Sequence, residues 1–569
     1  MVNIEGVIVL ENAKILITDI YWERVQLYIV GNIEGENIKD TEFLLRNLTE
    51  TRTFKAHSTK ITNNQFECRF NIAILNDGNY LPDDDYMLIG KNDFSIVAKL
   101  DNSMIENSDE LDETEFEYYE ELETSTEKTN YLLKKYSKQF KKGGNSKKNI
   151  YSVIPQISRE VNEFIIKVNY KAPKKPISAL RQRINNIYLK LRKISFNNRK
   201  FFFRLIFNVG KYSKLRRGKD ILFTSDSRAE MSGNFEFIYN KMLERNIDEK
   251  YNIRTIFKPH ISERRSIIDK FRFPYLLGRS DYIFVDDFHP LIYTVKLRPN
   301  QELIQVWHAC GAFKTVGYSR AGKKGGPFFD SLIHRNYTKA TVSSETDIPF
   351  YAEAFGIKEE NIIPTGVPRT DIFFDKEYEE KIVEELNNEL PIINNKKVVL
   401  FAPTFRGSGA NSAHYPFFKI DLVRLAKYCE DNDAVVLFKM HPFVKNKLSI
   451  PREYTKYFMD ISDFREVNDI LFITDILITD YSSLIYEFST FNRNMLFYAF
   501  DLEDYIATRD FYEPYESFVP GKIVNTFDEL IDSLYEEDFE HEKVKPFLDK
   551  HFKYQDGQSS ERIVRKIFR

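Results

Sequence analysis

Cysteine and long apolar runs are both scarce in this chain, and each scarcity excludes something. Three cysteines, Cys68, Cys310 and Cys429, stand far apart in 569 residues. That is neither a disulfide framework nor a zinc-ligand spacing, and it suits a reducing compartment. No run approaches the roughly 20 apolar residues that a membrane-spanning helix needs. The stretch Met1-Val-Asn-Ile-Glu-Gly6 has no basic segment followed by a long apolar core, so no signal peptide is expected. Neither a zinc-protease H-E-x-x-H nor a phosphate-loop G-x-x-x-x-G-K-[S/T] occurs. No G-x-G-x-x-G follows the first strand of the α/β region, so kinase, P-loop and dinucleotide readings fall away. Asp83-Asp84-Asp85 contains D-x-D but lies in a turn and reads as solvated. No metal and no cofactor are expected. The net charge of -3 gives no global attraction to nucleic acid, and no nucleic-acid partner is expected.

What is present is the make-up of a folded protein, with 42% hydrophobic and 29% charged residues. The length is too great for one core and implies two to four domains. Residues from about 10 to 100 read as short strands separated by turn pairs at Gly31-Asn32, Asn63-Asn64 and Asp77-Gly78, the pattern of a small all-β sandwich. An acidic stretch at 106–129 reads as an exposed helix or linker, Lys141 to Lys148 as a flexible break, and Val161 to Tyr170 as a return to the β domain.

From Lys171 to Lys219 there is no Asp or Glu, while Lys and Arg recur among Leu, Ile and Phe. Leu180, Ile184, Ile187 and Leu191 fall on one helical face. This is the signature of interfacial attachment to an anionic membrane surface. Packing on the protein's own core and RNA binding are the alternatives.

The remainder alternates strands and helices in two consecutive series, 220–388 and 389–569. Such alternation predicts two doubly wound α/β domains facing each other across a cleft, with ligands at the carboxyl ends of the strands. Polar clusters follow strands with regularity. Trp307-His-Ala-Cys-Gly-Ala-Phe-Lys314, Pro364-Thr-Gly-Val-Pro-Arg369, Pro403-Thr-Phe-Arg406, Lys439-Met-His-Pro442 and Thr479-Asp-Tyr-Ser-Ser483 each trail an apolar run. The last leads into Leu484 to Glu487 and reads as strand, tight loop and helix, with Ser482 or Ser483 as N-cap and a phosphate at the helix start. His308 and His441, one from each half, are suited to move a proton near neutral pH. Lys314, Arg369, Arg406 and Lys439 carry charge of the kind that holds phosphates. Each is credible singly as a structural residue; five aligned clusters favour a site for a polyanionic ligand.

These motifs, with Ser225-Asp-Ser-Arg228 and Gly233-Asn234, resemble the CDP-glycerol glycerophosphotransferases of teichoic acid synthesis over residues from about 220 to 569. In the N-terminal third, Ile20-Tyr-Trp-Glu-Arg-Val-Gln-Leu27, Phe43-Leu-Leu-Arg-Asn-Leu-Thr-Glu-Thr-Arg52 and Cys68-Arg-Phe-Asn-Ile-Ala-Ile-Leu75 are similar to the ribitol phosphate polymerases of that family. The resemblance implies a GT-B fold working peripherally on the cytoplasmic face of the cell membrane. It implies transfer of ribitol phosphate from CDP-ribitol to a lipid-linked teichoic acid chain, with release of CMP. His308 is implied to deprotonate the acceptor hydroxyl and His441 to attend the donor pyrophosphate or its CMP leaving group. Arg369, Thr404, Arg406, Ser482 and Ser483 are implied to bind the CDP part. Further substrate contacts are expected at Ala309, Cys310, Gly311, Lys314, Lys439, Met440, Asp480, Tyr481 and Glu487. Ala309 departs from the glycine that usually follows Trp-His in the broader family, and its methyl narrows the approach to the histidine.

The expected architecture is therefore an N-terminal β domain over 1–170, a basic segment over 171–219, an acceptor-side half over 220–388 and a CDP-alcohol-binding half over 389–569. Glycerol phosphate transfer from CDP-glycerol and sugar transfer from a nucleotide sugar are the enzymatic alternatives; a non-catalytic membrane scaffold is the other.

Overall fold

The computed structural model describes residues 14–34, 41–91, 95–104, 119, 122, 124–147, 149–158, 161, 163–171, 198–213, 218–261, 263–323, 325–407, 413–444, 446, 448–464 and 466–568. The chain divides into two compact units.

The first unit is built on strands whose side chains alternate between buried and half-exposed, as in Lys14–Glu23 and Gln26–Glu34. Such strands present one face to a core. One sheet runs in the order Ser58–Thr62, Gln65–Asn71, Gln26–Glu34, Lys14–Glu23, Lys99–Leu100. The other runs Lys138–Lys141, Ile150–Ile157, Phe164–Lys171, Asp84–Lys91, Glu42–Asn47, Thr53–Lys55, with Ser95–Val97 beside Asp84–Lys91. Buried residues of both sheets form one apolar core that includes Ile17, Leu27, Phe43, Phe70, Tyr86 and Val168. Residues 316–336 and 352–358, which sequence alternation assigns to an α/β half, also group with this unit. Phe328 and Phe329 enter its core. Glu353 accepts hydrogen bonds from Arg24 (2.7 Å) and Gln26 (2.6 Å).

The second unit holds two six-stranded sheets, both wholly parallel. The first runs Asn252–Phe257, Asp220–Ser225, Tyr282–Val285, Glu302–Gln305, Lys339–Val342, Ile362–Pro364. The second runs Phe458–Asp460, Ala434–Phe438, Lys397–Phe401, Ile476–Thr479, Asn494–Tyr498, Lys522–Val524. Ala434–Phe438 and Ile476–Thr479 are buried along their whole length, as strands covered by helices on both faces must be. In the first sheet the chain reverses direction between Asp220–Ser225 and Tyr282–Val285. In the second it reverses between Lys397–Phe401 and Ile476–Thr479. Crevices for ligands open at such reversals, outside the carboxyl ends of the strands.

The C-terminal helix Ser559–Ile567 returns to the first half, where Ile563, Val564 and Ile567 join the core around Phe223 and Phe235. The carboxylate of Asp371 accepts the backbone N–H groups of Ser559 and Ser560, both at 2.9 Å, and so satisfies donors that open this helix. Within the basic stretch, residues 172–197 and 214–217 lie outside the described residues, and with them Leu180, Ile184, Ile187 and Leu191. Residues 198–212 are helical.

Candidate active site

All five polar clusters leave the carboxyl ends of parallel strands. Pro403-Thr-Phe-Arg406, Lys439-Met-His-Pro442 and Asp480-Tyr-Ser-Ser483 follow three strands that are neighbours in the second sheet. His308 follows Glu302–Gln305 in the first sheet, beside the strand that ends before Asp286 and Asp287.

His308 is exposed, and its Nδ1 lies 3.7 Å from Asp287 Oδ1, an ion-pair distance longer than a hydrogen bond. Asp287 is held in turn. Its Oδ2 accepts from Ser227 Oγ (2.8 Å) and its Oδ1 from the Phe288 N–H (2.6 Å). The loop carrying His308 is pinned from beneath, where Asn234 Nδ2 donates to the Trp307 carbonyl (2.7 Å). Asn234 Oδ1 accepts the Arg369 N–H (3.0 Å), so one side chain ties two strand-end clusters together. Trp307 has φ +45, rare for a bulky residue, and marks a backbone held by its surroundings. Sequence reasoning missed Asp287, although Asp286-Asp287 occupies a strand end like the clusters it did single out.

His441 is half-buried between Phe405 and Phe443, whose ring centroids lie 4.8 and 4.7 Å away. Burial, then the charges of Lys314 and Lys439, push it down to about 4, so it is neutral at physiological pH. Its Nδ1 accepts the Phe443 N–H at 3.1 Å. In the neutral ring the proton then sits on Nε2, leaving a donor for a substrate oxygen.

Several residues expected to touch substrate are buried or have partners within the chain. Cys310 is fully buried and joins the core of the second half, its Sγ 3.5 Å from Glu487 Oε1. Gly311 has φ +58, and a Cβ there would sit 2.1 Å from the Tyr486 ring, so glycine is required by the close approach of the two halves. Met440 lies in the second half's core. Glu487 is buried and ion-pairs with Arg369. Tyr481 is buried, stacks on Tyr505 at 3.8 Å and donates its hydroxyl hydrogen to Asp501 (3.0 Å). Asp480, 1% exposed, accepts the Thr404 N–H (2.7 Å) and Arg406 Nη1 (2.9 Å). Arg406 further engages both oxygens of Asp501 and the Thr404 carbonyl. Lys439 gives its ammonium to the carbonyls of Ser462 (2.9 Å) and Phe464 (2.6 Å). Arg369, Arg406 and Lys439, read as phosphate ligands, thus each also have a partner within the chain.

Ala309, Lys314, Thr404, Ser482 and Ser483 remain partly exposed at the strand ends. Ser483 occupies the N-cap position of the helix Leu484–Ser489 without a side-chain capping bond, whereas the Ser482 hydroxyl accepts the Leu484 N–H at 3.3 Å. Among the described residues no group of three or more His, Cys, Asp or Glu is placed to hold a metal ion. A cavity of about 1110 Å³ opens beside Arg228 and Arg369, but neither histidine lines it. Glu236, Asp371, Asp375 and Asp469 lie along it, a lining that repels phosphates.

Behind the first half's strand ends, His289 is fully buried near Asp226, Arg265 and Phe273. Burial pushes its imidazole down to about 4, against the pull of Asp226. Burial likewise pushes His551 to about 3. An unfolded histidine titrates near 6.5, so between about pH 6.5 and 4 the unfolded chain binds protons that the fold refuses. Stability is therefore complete above pH 6.5 and is lost as pH falls through that window, by about 3 kcal/mol from His289 alone. Urea midpoints at pH 7.5 and 5 are expected to show this loss, and a His289→Gln variant to show a shallower dependence. Equal slopes for the two proteins would contradict the assignment.

Two doubly wound halves, each sending a histidine from the strand next to its chain reversal, make a two-half α/β fold with ligand crevices at the strand ends. The chain belongs to the CDP-Glycerol:Poly(glycerophosphate) glycerophosphotransferase family, whose model matches residues 206–569. It is 63% identical over 557 residues to the teichoic acid ribitol-phosphate polymerase TarL of Staphylococcus aureus, covering 98% of this chain and 99% of that protein. It is 60% identical over 511 residues to the teichoic acid ribitol-phosphate polymerase TarK of the same organism, covering 90% of this chain and all of that one (100%). Among solved structures, the wall teichoic acid polymerase TagF superposes with a TM-score of 0.53 at 22% identity, covering 68% of this chain and 98% of that one. At that identity the likeness is one of fold.

Proposed function

We propose that this enzyme extends a teichoic acid chain by transferring ribitol phosphate from CDP-ribitol, releasing CMP. The observation that carries this reading is the 63% identity, over nearly the full length of both chains, to a protein named a ribitol-phosphate polymerase. The arrangement of the second unit supports a GT-B pairing, with the acceptor on the half that carries His308 and the donor on the half that carries His441. His308 takes the proton of the acceptor hydroxyl, whose oxygen forms the new bond to the β-phosphorus. The bond from that phosphorus to the bridging oxygen breaks, and CMP leaves with the electron pair. Asp287 faces Nδ1 and favours a proton there, which keeps Nε2 free to act as base. His441 Nε2–H faces the donor and hydrogen-bonds to phosphate oxygens as charge grows on the leaving group. Thr404, Ser482 and Ser483 supply neutral donors around the CDP moiety.

The reading includes a peripheral seat on an anionic membrane, where a lipid-linked acceptor resides. Helix 198–212 supports it by exposing Phe201, Phe202, Leu205, Val209 and Tyr212 while Phe203 and Phe207 are buried. The adjacent helix Ile267–Arg279 exposes Ile267, Ile268 and Phe271. Gly210 and Gly278 let these two helices touch backbone to backbone, since a Cβ at either would lie 2.1 Å from a carbonyl oxygen of the other. Apolar side chains in water beside Arg and Lys suit a headgroup boundary. No helix of the described residues is long and apolar enough to cross a membrane.

One experiment tests both parts: CMP release by the purified protein on a lipid-linked primer in anionic vesicles, with CDP-ribitol and CDP-glycerol compared, and sedimentation of the same vesicles. Release with CDP-ribitol exceeding that with CDP-glycerol, and protein in the pellet, are the expected results. Preference for CDP-glycerol reassigns the donor; protein left in the supernatant removes the membrane seat.

A further inference from the structure

The donor's diphosphate calls for cations, and the arginines of the strand-end motifs already face carboxylates. Arg406 meets two carboxylates, Asp480 and Asp501, and Arg369 meets the buried Glu487. Two cations beside them are not used in this way. One is Lys314, from the loop that carries His308. The other is Arg509, which follows the helix Leu502–Thr508 and belongs to none of the strand-end clusters.

Short backbone pairing brings the two together. The Thr315 N–H donates to the Asp510 carbonyl (2.9 Å) and the Tyr512 N–H to the Phe313 carbonyl (3.0 Å), so residues 313–315 are stitched to the segment directly after Arg509. The guanidinium of Arg509 lies 5.8 Å from the Phe405 ring, and Phe405 is the ring against which His441 packs. The ammonium of Lys314 lies 5.4 Å from the ring of Tyr505. We infer that Arg509 and Lys314 form the seat of the donor's diphosphate, next to His441. This rests on the reading of a CDP-alcohol as donor.

The electrostatics fit an anion there. Burial pushes Lys314 down to about 7; Asp480 counters this, and the charges of Arg509 and Arg406 add to it. Asp480 is already committed to Arg406, so a diphosphate carrying two negative charges relieves the repulsion between Lys314 and Arg509 when it arrives. A guanidinium grips phosphate oxygens in two parallel hydrogen bonds, which a lysine at the same place cannot do.

The test is calorimetric titration of wild type, Arg509→Gln, Arg509→Lys and Lys314→Gln with cytidine, CDP and CDP-ribitol. Arg509→Gln is expected to weaken CDP and CDP-ribitol by roughly 10- to 100-fold while leaving cytidine unchanged. Arg509→Lys is expected to fall between, and Lys314→Gln to repeat the pattern of Arg509→Gln. Wild-type affinity for CDP-ribitol in Arg509→Gln overturns the inference, as does an equal loss for cytidine and CDP, which is the mark of a disturbed fold. A wild-type protein that binds no CDP-alcohol overturns the donor reading instead.

Discussion

His308→Ala is expected to lower CMP release by roughly 10²–10⁴-fold, the usual worth of a general base, with the fold and the donor affinity intact. The side chain is exposed, so its removal opens no cavity and leaves no buried group unpaired. The proposed function puts the donor on the other half, so the loss is expected in kcat rather than in the donor KM. Asp287→Asn is expected to lose less than His308→Ala, because the asparagine still accepts from Ser227 but no longer favours the Nδ1 proton by charge. Single-turnover CMP release from preloaded enzyme measures the effect. Near wild-type release from His308→Ala would remove this histidine from the chemistry.

Arg406→Ala is expected to act on stability first. The guanidinium satisfies Asp480, Asp501 and the Thr404 carbonyl, and Asp480 has no route to solvent. Deleting the cation leaves a buried carboxylate without its partner, which costs about 3–5 kcal/mol. The expected result is a large drop in the urea midpoint at unchanged m-value, with donor affinity falling because the strand ends at Phe401, Thr479 and Tyr498 lose their tie. A variant with wild-type stability and selectively weakened CDP-ribitol binding would make Arg406 a ligand residue after all.

The partners of Arg406 show where the sequence is legible and where it stops. The apolar runs before Pro403, Lys439 and Thr479 coincide with Lys397–Phe401, Ala434–Phe438 and Ile476–Thr479, because parallel strands buried on both faces must be continuously apolar. The strand-end rule follows from the same geometry, and it located His308 and His441. Charge partners are another matter. Asp501 stands 95 positions from Arg406, and Glu487 stands 118 from Arg369. No local pattern says that these carboxylates arrive. Arg509 escapes the rule because it follows a helix, and Asp287 because two adjacent aspartates look like surface. Phe328 and Phe329 look the same in sequence whether they serve an α/β half or the β unit; the core they enter decides it.

The position at which the donor is cut separates polyol phosphate transfer from sugar transfer. CDP-ribitol labelled with ³²P at the β-phosphorus, supplied with lipid-linked primer, measures this directly. Attack at that phosphorus predicts label in the polymer, one for each CMP released, and unlabelled CMP. Label recovered in free CDP would mean that the bond between carbon and oxygen had broken, as in a sugar transferase, and would contradict the proposed transfer of ribitol phosphate.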